Sequence, residues 1–242
     1  MELTSRPPLD EPFATALDDA VAFLDRLPEE VIGIWLAGSL ARGPGDANSD
    51  LDLYVLVDGS HRRRINRRFN GVPVEIFLNP PEWARRYIGE NRELGRKSSI
   101  GMMASGLILL DPRGECAALA DECRAAIDLG PAVPAVQLEF RRYFAVDGLD
   151  NARDVADRDP TTARLMAAES LREAATIWFL RQGEWPPRQK ELFPVLRARH
   201  PEAAALVDRC AATGDLTAGA GALYLLLGVD TFYEWETQPE PM

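Results

Sequence analysis

Val31-Ile-Gly-Ile-Trp-Leu-Ala-Gly-Ser39 and Ser49-Asp-Leu-Asp-Leu-Tyr-Val-Leu-Val57 are the two stretches on which the fold of this chain turns. Val31 to Ala37 and Leu51 to Val57 are short, nearly continuous apolar runs, the pattern of buried strands. Between them, GSLARGPGDANSD (38–50) is rich in glycine and small polar residues, as a loop or a short helix start would be. Strand, glycine loop and strand make a scaffold on which a site can be built.

Residues i and i+2 of a strand point to the same face, so Asp50 and Asp52 present two carboxylates side by side. Adjacent carboxylates repel unless a cation lies between them. A hard divalent ion such as Mg²⁺ takes a few carboxylates together with substrate phosphate oxygens. Gly38 lets the backbone approach a phosphate closely, and Ser39, with Ser49 and Arg42 nearby, supplies groups for its oxygens. A third carboxylate is expected on a neighbouring strand. Glu75 fits, as the one charged residue of Val72 to Leu78, flanked by Val74 and Ile76. Each group has an ordinary alternative: Asp50 capping a turn, Asp52 facing solvent on an edge strand, Glu75 pairing with an arginine of its own hairpin. Taken together, they favour a site.

Gly38-Ser39, ten intervening residues, Asp50-x-Asp52 and then Glu75 resemble the nucleotidyltransferase superfamily of DNA polymerase beta and the aminoglycoside nucleotidyltransferases. The motif covers Trp35 to Leu78, and the helical remainder resembles, in kind, the carboxy-terminal domain of the aminoglycoside-modifying members. The resemblance implies an α+β fold, a mixed sheet with flanking helices followed by an all-α bundle. It implies Mg²⁺-dependent transfer of a nucleoside monophosphate from an NTP, with ATP expected, to an acceptor hydroxyl, releasing pyrophosphate. Gly38 and Ser39 would hold the β- and γ-phosphates, and Asp50 and Asp52 one or two Mg²⁺ ions. Glu75 would complete the metal site or take the acceptor's proton. Many relatives have a helix where this chain has a short arginine-rich segment between Asp52 and Glu75. Lys190 would reach the phosphates from the second domain, as basic residues of relatives do. Related two-domain enzymes can build sites between subunits, so a homodimer is an available arrangement.

Outward from the motif, Asp10 to Leu27 has the periodicity of an amphipathic helix, with Phe13, Leu17, Ala20, Val21 and Leu24 on one face. Asn70-Gly71 signals a tight turn, which makes HRRRINRRF and Val72 to Leu78 the arms of a hairpin. Pro80-Pro81 should precede a helix from Glu82 to about Glu90, with another ending near Ser105. Leu107 to Leu110 is a short strand, and Glu115 to Asp128 is helical. After Gly130-Pro-Ala-Val-Pro134 only helical periodicity remains. The expected division is a nucleotidyltransferase domain at 1–130, a helical bundle at 131–235 and a flexible tail at 236–242. Asp159 and Pro160 mark the start of a long helix that ends before Gly183, and Pro186-Pro187 the start of the next.

The 242 residues carry a formal charge of −11, which argues against nucleic acid or anionic lipid as a partner. Between Val31 and Gly130, however, 13 Lys+Arg balance 13 Asp+Glu, so the acidic excess lies outside the motif-bearing segment. A neutral segment suits a polyphosphate, and acidic flanks suit a cationic second substrate. On the long helix, Glu169 and Glu173 lie one turn apart and are candidates to receive an acceptor amine of a polyamine sugar, against a plain solvated face beside Arg172. Arg62, Arg63, Arg64, Arg67 and Arg68 are candidates for a polyanion, against a charged edge that blocks strand pairing; no aromatics interleave them. Three cysteines without CxxC spacing suggest reduced packing residues. The absence of a long apolar run and of a signal-like amino terminus makes a cytoplasmic protein the expectation. No GK[ST] loop, HExxH or GxSxG occurs. Two alternatives to a small-molecule acceptor stand beside it: an antitoxin-type enzyme that adds AMP to a protein, and a nonenzymatic nucleotide-binding or interaction module.

Overall fold

In the computed structural model, which describes residues 1–229, the chain forms two compact units, Met1–Gly130 and a second beginning at Pro131. The first runs α1 (Phe13–Leu24), β1 (Glu30–Ala37), β2 (Leu51–Asp58), β3 (Arg63–Phe69), β4 (Val72–Asn79), α2 (Pro81–Leu94), α3 (Ser98–Ser105), β5 (Leu107–Leu110) and α4 (Glu115–Asp128). Its sheet has the order β3-β4-β2-β1-β5. β2 and β4 are parallel and the other neighbours antiparallel, so the sheet is mixed, as the resemblance implied.

Period-two alternation divides the sheet into two faces. Ile34, Leu36, Leu51, Leu53, Val55, Val74, Ile76 and Leu78 lie on one of them, fully buried against Ala16, Leu17, Ala20 and Leu24 of α1. The expected helix is shorter than its periodicity suggested, because its helical hydrogen bonding begins only after Pro12. The opposite face carries Trp35, Asp52, Tyr54, Glu75 and Phe77 and is covered by α2, α3 and α4. At Gly33 the cover is close: a Cβ there would lie 2.1 Å from the Cys116 sulfur of α4.

The hairpin turns through Asn70 (φ 45°) and Gly71 (φ 78°), two consecutive left-handed residues that match the twist of β3 and β4. α2 runs one turn beyond the expected Glu90, to Leu94. There Gly95, at φ 62°, supplies a left-handed cap whose N–H donates to the Arg92 carbonyl at 3.2 Å.

All described elements of the second unit are helical: α5 (Ala135–Val155), α6 (Pro160–Arg181), α7 (Gln189–Arg199), α8 (Pro201–Thr213) and α9 (Leu216–Leu227). The Asp159 side chain accepts the Thr162 N–H at 3.0 Å and so starts α6 as its sequence signature requires. α7 starts after Pro186-Pro187 rather than at it, because Arg188 stays extended (ψ 150°) in the cap position. Leu149, Leu171, Phe179, Leu196 and Leu223 are central to the bundle core. The tail expected at 236–242 lies outside the described residues. Among the described residues no helix is long and apolar enough to cross a membrane, and Cys116, Cys123 and Cys210 are free and buried.

Nothing lies within 4 Å of a Cβ built on Gly71, so Gly71→Ala tests backbone strain alone. It should cost about 1 kcal/mol, the penalty for placing an L side chain in the left-handed region. The expected readout is a lower urea midpoint with an unchanged denaturant slope.

Candidate active site

β2 lies between β1 and β4, and its register sets two rows of side chains across the covered face. One row is Asn66, Glu75, Asp52 and Ala37, since Asn66 faces Glu75, Glu75 faces Asp52 and Asp52 faces Ala37. The next row inward is Arg64, Phe77, Tyr54 and Trp35. Asp50, immediately before β2, continues the face outward. The arginine-rich segment is therefore an edge strand paired with β4, which holds Glu75 in line with Asp52.

The two rows differ in character. The inner one is aromatic: Trp35 meets Tyr54 edge to face at 5.7 Å, Tyr54 stacks on Phe77 at 6.4 Å, and the Arg64 guanidinium lies 4.7 Å over the Phe77 ring. Trp35 and Tyr54 are fully buried, and the indole Nε1 and the phenol oxygen have no hydrogen-bond partner among the described residues. Burial pushes the Tyr54 phenol well above its ordinary pKa. The outer row is anionic. Asp52 is half-buried, and burial first, then the Asp50 and Glu75 carboxylates, raises its pKa to about 6; Arg42 and Arg64 pull it back.

The glycine loop closes the β1 side. Gly38 has φ +72°, and a Cβ there would lie 2.1 Å from Asp52 Oδ2, so the loop backbone sits directly against this carboxylate. Leu40 is buried in the α1-side core, and Gly45 lets the loop pack onto Leu40 and Phe13, where a Cβ would come within 2.6 Å of both. The Arg42 N–H donates to the Ser39 carbonyl at 3.0 Å, making the turn that presents Ser39. Ser49 has a local role: its hydroxyl accepts the Asp46 N–H at 2.9 Å and donates to Asp46 Oδ1 at 3.1 Å, a closed turn leading into Asp50.

Glu75 takes Arg64 Nε on Oε1 at 2.6 Å, and a second Arg64 nitrogen meets the same oxygen. This is the hairpin ion pair that sequence offered as the alternative to a site, and it coexists with the alignment of Glu75 beside Asp52. Among the described residues no three His, Cys, Asp or Glu side chains are gathered closely enough to hold a metal ion unaided. Asp50 and Asp52 nonetheless fit Mg²⁺, which commonly takes one or two carboxylates and completes its shell with water and phosphate oxygens. The raised pKa of Asp52 comes partly from like charge that such an ion would offset.

The candidates in the second unit are placed differently. Glu173 receives Arg141 Nε of α5 at 2.5 Å, whereas sequence pointed to Arg172 as the nearby cation. Glu169 is exposed on α6, and Lys190 is exposed on the first turn of α7. Sequence inspection missed the aromatic setting of the arginine cluster. Arg62 donates to the Tyr87 hydroxyl at 2.5 Å and lies 5.3 Å over the Trp83 ring, with Arg86 4.9 Å over the same ring. Trp83 and Tyr87 sit at i and i+4 of α2, and that spacing was the available signal; their meeting with Arg62 is a tertiary contact.

Two outcomes test this geometry. The fold favours the protonated Asp52 side chain, so its contribution to stability is whole below the ordinary aspartate value of 3.8 and is lost as the pH rises through about 6. In metal-free buffer at pH 7.5, Asp52→Asn should therefore raise stability by about 1 kcal/mol after allowance for partial solvent exposure, and the gain should vanish below pH 4. Gly38→Ala combines a positive φ with a clash against Asp52. It should cost more stability than Gly71→Ala, read from paired urea melts.

Comparison with known proteins finds similarity over this part of the chain. Residues 17–98 match the family described as nucleotidyltransferase domain, a span that holds Gly38, Ser39, Arg42, Ser49, Asp50, Asp52 and Glu75. No curated protein matches the chain. Among solved structures, a nucleotidyltransferase-like protein from Exiguobacterium sibiricum 255-15 is similar in fold, with a TM-score of 0.54 at 16% identity. The match covers 88% of this chain and 73% of that one. The family match and its motif residues therefore fall within the first unit, and the solved structure is similar in fold.

Proposed function

We propose that this protein transfers a nucleoside monophosphate from an NTP, with ATP as the first candidate, to a hydroxyl of a small-molecule acceptor. The observation that carries the proposal is the row in which Asp52 stands between Glu75 and the Gly38 backbone, with Asp50 beside it. A half-buried sheet face that gathers carboxylates against a glycine loop is costly for a structural protein and useful to one that binds a metal–triphosphate complex. This favours an enzyme over a nonenzymatic module.

In the proposed reaction the acceptor oxygen attacks the α-phosphorus, a new P–O bond forms, and the bond from the α-phosphorus to the α,β-bridging oxygen breaks. Pyrophosphate leaves with that electron pair. Asp50 and Asp52 would hold Mg²⁺, which when bound offsets charge on the triphosphate. The Gly38-Ser39 turn and Arg42 orient the phosphates. Glu75 is the proposed acceptor of the hydroxyl proton. Both Arg64 contacts converge on its Oε1, and Oε2 has no protein partner among the described residues. Arg64 thus fixes the carboxylate and leaves one oxygen for the proton. Of the acidic pair expected to receive a cationic acceptor, Glu173 is already neutralised by Arg141.

Calorimetric titration of ATP, GTP, CTP and UTP with and without Mg²⁺ tests the proposal without knowledge of the acceptor. Saturable binding that requires Mg²⁺ is expected for at least one nucleotide. It should weaken about tenfold or more in Asp50→Ala and Asp52→Ala variants whose circular dichroism matches the parent. A folded parent that binds no nucleotide overturns it.

A further inference from the structure

The helical unit contains a hollow of about 390 Å³ that the nucleotidyl-transfer reading does not use. It lies among α6, α7, α8 and the start of α9. Small side chains leave the space: α6 contributes Ala167 and Ala168, α8 contributes Ala211, and Gly214 ends α8 beside it. Leu165, Leu171, Phe193, Val207 and Leu216 make the walls apolar. Leu165 is 65% exposed and Arg164 is exposed beside it, so the hollow opens to solvent between an apolar and a cationic side chain.

The charged part of the lining is uneven. Arg197 donates to both oxygens of Asp208, at 2.9 and 2.6 Å, so these two charges answer each other. Arg164 has no carboxylate or hydrogen-bond partner among the described residues. On its own helix the positions one turn away are Pro160, Thr161, Ala167 and Ala168, none of them charged. Its guanidinium lies against the end of α8, where a Cβ on Gly214 would be 3.0 Å from Arg164 Nε. Next to that glycine, the Asp215 carboxylate accepts the Thr217 and Ala218 N–H groups at 3.0 Å and pairs with Arg209 at 3.4 Å. The last carbonyls of α8 add only a partial negative charge. A cation at the mouth of an apolar hollow suits an anion joined to an apolar body.

We infer that this hollow binds a small amphiphilic carboxylate, its apolar body among α6, α7 and α8 and its carboxylate on Arg164. An apolar cavity of about 150 Å³ takes one benzene ring, so this one suits an apolar body of roughly ten to fifteen carbons. Burial of that body supplies the affinity, and the guanidinium selects the headgroup. The chain carries a net charge of −11, but at physiological salt that field is screened within about 8 Å, and the cation at the mouth decides the sign of the ligand. The site belongs to the second unit alone and stands whether or not the first unit transfers nucleotides.

The test titrates the full chain at physiological salt with 2-naphthoate, 2-naphthalenemethanol and 2-(aminomethyl)naphthalene, read from backbone amide shifts by NMR. 2-Naphthoate should shift amides of α6, α7 and α8 around the hollow and bind at least about tenfold more tightly than the ammonium probe. That preference should fall below about twofold in Arg164→Gln, with binding of the alcohol unchanged, and persist in Arg172→Gln on the same helix outside the hollow. Ala168→Phe and Ala211→Phe, at exposed positions of the wall, fill the space. Whichever of them matches the parent in circular dichroism should weaken all three probes about tenfold or more. A folded parent that does not bind 2-naphthoate, an ammonium probe that binds as tightly, a preference that survives Arg164→Gln, or affinity that survives the filled variants overturns the inference. Displacement of 2-naphthoate by ATP with Mg²⁺ also overturns it, by assigning the hollow to the nucleotide. So does a parent that sediments as a dimer and that Leu165→Glu converts to a monomer, which assigns the hollow to a second copy of the chain.

Discussion

The burial of Asp52 beside two like charges is the constraint around which the first unit is organised. Burial and two carboxylate neighbours push its pKa to about 6, and the fold keeps it there through parallel pairing with β4, antiparallel pairing with β1 and a loop backbone at Gly38 with no room for a side chain. The other sheet face compensates. Its uninterrupted aliphatic layer against α1 supplies burial that holds β2 and β4 in register. The charged face is thus carried on a rigid sheet, and the elements that could relax it are themselves fixed by the core.

The aromatic row behind the carboxylates extends this arrangement. Trp35, Tyr54 and Phe77 fill the space beneath α2 to α4 and end in Arg64, whose guanidinium turns from the Phe77 ring to Glu75. The second unit is stabilised by different means: helices start at side-chain caps such as Asp159 and Asp215, and the core is aliphatic. Its charged side chains are largely engaged with one another, as in Arg141 with Glu173 and Arg197 with Asp208.

Much of this was legible in sequence because the signals were local. Asn70-Gly71 fixed a hairpin and Asp159-Pro160 a helix start, and Gly38-Ser39 with Asp50-x-Asp52 marked two strand ends that the sheet does bring together. Glu75 was identified by being charged within an apolar strand, and its alignment with Asp52 follows from pairing. What escaped was decided by contacts distant in sequence. Nothing in HRRRINRRF announces that Arg62 will lie on two aromatic rings of α2, or that Arg64 will choose Glu75. Glu173 was likewise read from its own helix, while its partner belongs to the preceding one. Helix ends shifted for a related reason: Gly95 and Arg188 set them through backbone conformations that periodicity does not encode.

The two margins of the sheet are finished in different ways. β5 is four residues long, and its Leu109 carbonyl is taken by the Thr4 and Ser5 N–H groups, so the amino-terminal segment covers that margin. β3 has no such cover among the described residues and, with Arg62 just before it, presents five arginines in Arg62 to Arg68, a charge density that repels an incoming strand from another molecule. Resistance to edge-to-edge association consequently draws on these residues. An anion bound there neutralises part of the barrier to edge-to-edge association, so the colloidal stability of this protein should depend on the phosphate content of its medium.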